Sequence, residues 1–140
     1  MLRSLYFSEH SLFHEAINKG TYECFLSQNS TLPMMYMPDA INATIGIMET
    51  EAIKVKIRSS YNIGGMSFSP AEIAKEIRQL IPGFEITYKE DYRQEIADSW
   101  PKSIDDSYAR EHWDWRPKYN LGQMTKDMIK NLSHIKINAL

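Results

Sequence analysis

Four residues near the middle of the chain, Ser69-Pro70-Ala71-Glu72, constrain the local fold more than any other stretch. A serine ahead of the first turn offers an oxygen to the unpaired N–H groups of a helix start, and proline at the first helical position forfeits no hydrogen bond. Glu72 stands three residues after Ser69, where its carboxylate can return a bond to the serine N–H. The spacing predicts a helix from Ser69 with Ile73, Ile77, Leu80 and Ile81 as its apolar stripe. Phe68 is placed to staple onto Ile73, and Pro82-Gly83 ends the helix.

Short strand candidates and further helices flank it. Downstream, Phe84, Ile86 and Tyr88 alternate as a strand, and Tyr92 to Ala97 reads as a polar connection. Upstream, Ile53, Val55 and Ile57 alternate with Lys54, Lys56 and Arg58, the period of a half-exposed strand, and Ser59 to Gly65 reads as a strand running into a loop. Tyr22 to Leu26 is a strand candidate followed by a polar turn from Ser27 to Thr31. Leu32 to Met37 is another, limited by Pro33 and Pro38, with Asp39 placed to cap a helix whose stripe is Ile41, Thr44, Ile45 and Met48. An amphipathic helix is predicted from Leu5 to Asn18, carried by Leu12, Phe13, Ala16 and Ile17 and stopped by Gly20. Asn120, with Gln123 three residues on, starts a last helix with Leu121, Met124, Met128, Ile129 and Leu132 on one face; beyond Ser133 the reading is a loose tail.

The span from Ile96 to Pro117 holds all three tryptophans, Trp100, Trp113 and Trp115, whose N–H groups need partners. Ile104-Asp105-Asp106-Ser107 offers two carboxylates and a hydroxyl as caps for a short helix through Trp113, and Pro117 limits its continuation. With 140 residues, 43% hydrophobic and 24% charged, the composition is that of one globular domain over residues 1–140. A net charge of −2 argues against nucleic acid or an anionic membrane as partner. The single cysteine, Cys24, has no internal disulfide partner and reads as a small buried hydrophobe in a reducing compartment. No apolar run reaches the roughly 20 residues that span a bilayer, and cytoplasmic residence is the expectation.

Candidate chemistry is sparse. Lys54, Lys56 and Arg58 could grip a phosphate, although a solvated strand face explains them with less assumption. His10, His14, His112 and His134 show no ligand spacing, and capping accounts for Asp105-Asp106 more simply than a metal does, so no metal site is expected. Asp98 could meet a cation or an ammonium group, or shape a turn.

The stretch around Asp105, Ser107, Ala109, Trp115 and Pro117 resembles a D-x-S-K-A-x-x-x-L-G-W-x-P pattern near the C-terminus of extended short-chain dehydrogenases/reductases, the NAD-dependent epimerase/dehydratase family; Tyr108, Trp113 and Asp114 depart from it. Ala97-Asp98-Ser99-Trp100-Pro101 just upstream makes the resemblance closest to the family's L-threonine 3-dehydrogenases. Leu32 to Ala40 occupies the place of the family's R-D-Y-x-H-V-x-D-x-A segment, with Tyr36 at the histidine and Asp39 at the final aspartate. Tyr61-Asn62-Ile63-Gly64 and the helix after it resemble the family's Y-N-x-G strand and its following helix, which implies an edge strand of the nucleotide-binding sheet.

The resemblance runs from residue 12 to residue 133. It implies an α/β fold, the C-terminal portion of an extended short-chain dehydrogenase: an incomplete Rossmann edge plus a small α+β substrate-binding part. The family's glycine-rich turn, which holds the pyrophosphate of NAD, and its Tyr-x-x-x-Lys pair are both absent: six glycines form no G-x-x-G-x-x-G, and none of eight tyrosines has a lysine four residues later. No catalytic or cofactor-binding residue is therefore assigned, and NAD is expected only with the full-length family. A break at residue 11 is what a start codon inside a longer reading frame, or a frameshift, would leave.

The expectation is a truncated or split L-threonine 3-dehydrogenase, inactive alone. The alternatives are a fragment of a UDP-sugar 4-epimerase or a noncatalytic self-association module. Leu32-Pro33 and Glu95 to Asp98 stand where epimerases carry diphosphate-binding arginines, which favours a small amino-acid substrate. Met34 and Trp100 are the candidate substrate-pocket residues, beside the plainer reading that both are core. Helices 39–49 and 69–81 are expected to show uncovered apolar stripes, so the partner is a second copy of the chain or the missing N-terminal half.

Overall fold

The computed structural model describes residues 9–138. Ser69 does start a helix: its N–H donates to Glu72 Oε2 at 2.8 Å and its Oγ accepts the Glu72 N–H at 3.4 Å. The chain order is α1 (Glu9–Lys19), β1 (Thr21–Cys24), β2 (Leu32–Met34), α2 (Met37–Glu49), β3 (Met66–Phe68), α3 (Pro70–Leu80), β4 (Glu85–Tyr88), α4 (Arg93–Asp98), α5 (Ser107–Trp113) and α6 (Leu121–Asn138). Strands β1 and β4 pair in parallel, Tyr22 opposite Ile86 and Cys24 opposite Tyr88. Strands β2 and β3 form a separate antiparallel pair.

The main core collects Leu12, Phe13 and Ala16 of α1, Tyr22 and Cys24 of β1, Ile73, Ala74 and Ile77 of α3, and Met124 and Leu132 of α6. Gly20, in the left-handed region at φ +69°, ends α1 and turns the chain into β1. Burial pushes the Cys24 thiol above its ordinary value, as suits an apolar core position. A smaller core joins Ala43 of α2 to Ala109 of α5 and to Trp115, with Met35, Tyr61, Ile63 and Trp113 packed against it. The Asn120 N–H donates to Gln123 Oε1 at 3.0 Å and the Gln123 N–H to Asn120 Oδ1 at 2.9 Å, starting α6 as the spacing predicts.

Several expectations change. Residues 51–60 form turns and irregular backbone, because alternation makes a strand only where a neighbouring strand takes its hydrogen bonds; Lys54 N–H bonds instead to Glu51 O, and Ile53 is 83% exposed. Tyr61 to Gly65 is likewise no regular strand, since Gly64 bonds to the Asp106 carboxylate and the Trp115 indole. The connection after Tyr92 is helical as α4, with the Arg93 N–H held by Asp91 Oδ1 at 2.9 Å. Helix α6 continues to Asn138 in place of a loose tail. Tyr36, not Asp39, is the cap of α2. The Leu5 end of the predicted first helix lies outside the described residues.

The two helices expected to be uncovered part ways. Helix α3 buries Ile73, Ala74 and Ile77 and packs on α6, so its cover comes from this chain. Helix α2 leaves Ile41, Ile45 and Met48 exposed, Met48 at 78%.

Candidate substrate cleft

Strands β2 and β3 set Pro33 opposite Ser67 and Met34 opposite Met66. A cleft of about 440 Å3 is lined by these residues, by Ile63-Gly64-Gly65, by Trp100, Pro101, Ser103 and Ile104, and by Asp106 and Arg110. The structure thus brings Met34 and Trp100, 66 positions apart in sequence, onto one cleft. Trp100 is 43% exposed and is no core residue, whereas Met34 divides its surface between the cleft and the main core.

The glycine pair makes the cleft possible. A Cβ on Gly65 would sit 2.6 Å from Met34 O, and one on Gly64 would sit 2.9 Å from Asp106 Oδ2; neither neighbour can withdraw without moving the cleft lining. Gly64 N–H donates to Asp106 Oδ2 at 3.2 Å, and Gly64 O accepts from Trp115 Nε1 at 3.0 Å. Trp115 thereby finds its partner, while Trp113 Nε1 is buried with none among the described residues. Asp106 is buried and takes Arg110 Nε on Oδ1 at 2.7 Å. The hydrogen bond from Arg110 holds the Asp106 carboxyl below the usual carboxylate range, against the opposing effect of burial. Asp106 holds the N-cap position of α5 without a side-chain capping bond, and the preceding Asp105 accepts the Ser107 N–H on Oδ1 at 3.0 Å. Asp106 and Arg110, four residues apart across a helix start, are a readable i,i+4 pair, but nothing in that spacing points to Gly64.

A second anchor lies at the start of α2. Asp39 has no exposed surface; its Oδ1 accepts the Lys118 N–H at 2.9 Å and its Oδ2 the Tyr119 N–H at 3.0 Å. Beside it the Tyr36 hydroxyl donates to Asp127 Oδ2 at 2.6 Å, and the Tyr36 ring meets Tyr119 edge-on at 4.9 Å. Burial, with the Asp127 hydrogen bond, pushes the Tyr36 phenol well above its ordinary value, so it stays a proton donor.

The other candidates stay apart from the cleft. Asp98 Oδ1 accepts from Gln94 Nε2 at 2.6 Å, and Lys54, Lys56 and Arg58 lie exposed on the irregular loop. His112 Nδ1 meets the Tyr61 hydroxyl at 2.8 Å. Among the described residues no group of three or more His, Cys, Asp or Glu is placed to hold a metal ion, and no helix is long and apolar enough to cross a membrane. Nor do the parallel strands suit a dinucleotide. Strand β4 reaches α4 through Lys89-Glu90-Asp91-Tyr92, a turn with no glycine and two carboxylates where a pyrophosphate needs bare N–H groups.

No family model matches the chain. Individual proteins do. It is 43% identical over 128 residues to an uncharacterized epimerase/dehydratase of Staphylococcus haemolyticus, covering 91% of this chain and 40% of that protein. Against the mitochondrial L-threonine 3-dehydrogenase of Bos taurus it is 43% identical over 119 residues, 84% of this chain and 32% of that one. Among solved structures, the GalE-like L-threonine dehydrogenase from Cupriavidus necator superposes with a TM-score of 0.84 at 56% identity, covering 87% of this chain and 44% of that one. The chain spans less than half the length of each of these relatives. The sequence identities and the superposition thus lead to one conclusion: the chain belongs to the extended short-chain dehydrogenase/reductase family and is homologous to the C-terminal part of the family's L-threonine 3-dehydrogenases.

Proposed function

We propose that this chain is the substrate-side portion of an L-threonine 3-dehydrogenase, an enzyme that oxidises L-threonine to 2-amino-3-oxobutanoate with NAD, and that it does not turn over alone. The observation that carries this reading is the 56% identity to the Cupriavidus necator dehydrogenase across 87% of the chain. The cleft fits it: Met34 and Trp100 offer apolar surface for a small side chain, beside the polar groups of Ser67, Ser103 and Arg110. The residues present do not fit NAD, so no hydride or proton step is assigned to them. A nucleotide-sugar substrate is disfavoured because, among the described residues, Arg110 is the one cation lining the cleft and Asp106 already neutralises it.

The complementary portion of the enzyme, or a second copy of the chain, covers the exposed stripe of α2 in this reading, and the single buried cysteine fits a reducing, cytoplasmic setting. The purified chain is expected to show no NAD-dependent oxidation of L-threonine, and to gain it when mixed with the N-terminal portion of the Cupriavidus necator enzyme. Turnover by the chain alone refutes its dependence on a partner. A mixture that associates yet stays inactive refutes the threonine dehydrogenase reading.

A further inference from the structure

Arg110 is held at one edge and open at the other. Its Nε donates to the buried Asp106 carboxylate at 2.7 Å, and Gly64 N–H on the second oxygen of that carboxylate keeps the pair in place. Its two terminal Nη groups have no hydrogen-bond partner among the described residues, its side chain keeps 40% of its surface exposed, and it lines the cleft that Met34 and Trp100 share. A guanidinium bound through Nε still presents its Nη pair end-on, a planar fork that matches the two oxygens of a carboxylate.

We propose that Arg110 is the carboxylate-binding residue of this cleft, receiving the α-carboxylate of an amino-acid substrate on its Nη groups while Asp106 fixes the guanidinium from behind. The proposal rests on reading the cleft as a substrate site and names the group that reads the substrate there. A single negative charge suits the geometry better than a diphosphate does. One cation, already paired, has enough donors for one carboxylate, and the apolar surface of Met34 and Trp100 leaves room for a short side chain beside it.

The test is a titration of the whole chain with L-threonine, L-threoninamide and inorganic pyrophosphate, followed through the methyl resonances of Met34 and Met66 and the indole resonance of Trp100. Threonine is expected to bind about tenfold more tightly than the amide, which keeps the side chain and the amino group but offers the guanidinium a neutral carboxamide with one acceptor oxygen. Arg110→Gln is expected to bring threonine down to the affinity of the amide and to leave the amide unchanged, which also shows that the variant cleft is intact. Threonine and its amide binding the wild-type chain equally overturns the role of Arg110 and leaves the substrate reading standing, as does a variant that loses both ligands equally. Pyrophosphate binding more tightly than threonine overturns the amino-acid assignment. No response to any of the three overturns the reading of the cleft as a substrate site, and the proposal with it.

Discussion

Asp106, at the start of α5, joins two parts of the chain through one side chain: the Gly64 N–H and the Arg110 guanidinium of α5. A carboxyl whose folded value lies below its unfolded one stabilises the fold above the unfolded value and loses that contribution as pH falls through the folded one. For Asp106 the window therefore opens at the usual carboxylate range and extends below it. Asp106→Asn is expected to be less stable than the parent at neutral pH, with the difference shrinking as pH falls into that window. Urea midpoints of both proteins from neutral pH into the acid range check this, and a difference that stays constant throughout would sink it. Asp91 and Asp105 are also held low, by the Arg93 side chain and the Ser107 N–H respectively, so the variant keeps part of the parent's acid sensitivity.

Between elements, the buried Asp39 is what fastens α2 to the segment entering α6. Its two acceptor bonds satisfy N–H groups that no other side chain reaches among the described residues. Removing a charged acceptor and stranding its donors costs about 3 kcal/mol, so Asp39→Ala is expected to lower unfolding stability by about that much in a urea titration. A change under about 0.5 kcal/mol would show that water serves these N–H groups equally well. The two helices with strong sequence signals make a contrast here. The Ser69 capping box is local and forms as its spacing predicts. The Asp39 signal is equally visible, but its carboxylate serves residues 79 and 80 positions away, which no local rule anticipates.

At the scale of the molecule, α2 is covered on its Asp39–Ala43 face and bare on the other. Met37, Ile41, Ile45 and Met48 follow one another at helical spacing and all are exposed. At ~25 cal/mol per Å2 of apolar surface, covering such a stripe stabilises a small domain by several kcal/mol. Self-association of the isolated chain is the expected outcome, and Ile41→Glu with Ile45→Glu should return it to a monomer. Light scattering at micromolar concentration decides this; a monodisperse wild-type monomer overturns it.

The chain's own sequence determined the starts of α3, α5 and α6, the apolar faces of α1, α3 and α6, the resemblance to a dehydrogenase family and the absence of a dinucleotide turn, because each depends on residues within a few positions of one another. Tertiary structure alone decided that residues 53–57 form no strand, that α3 is covered by α6, and that Asp106 meets Gly64 beside Met34 and Trp100. Those outcomes depend on which distant backbone supplies the missing hydrogen bonds and apolar contacts, and periodicity carries no record of that choice.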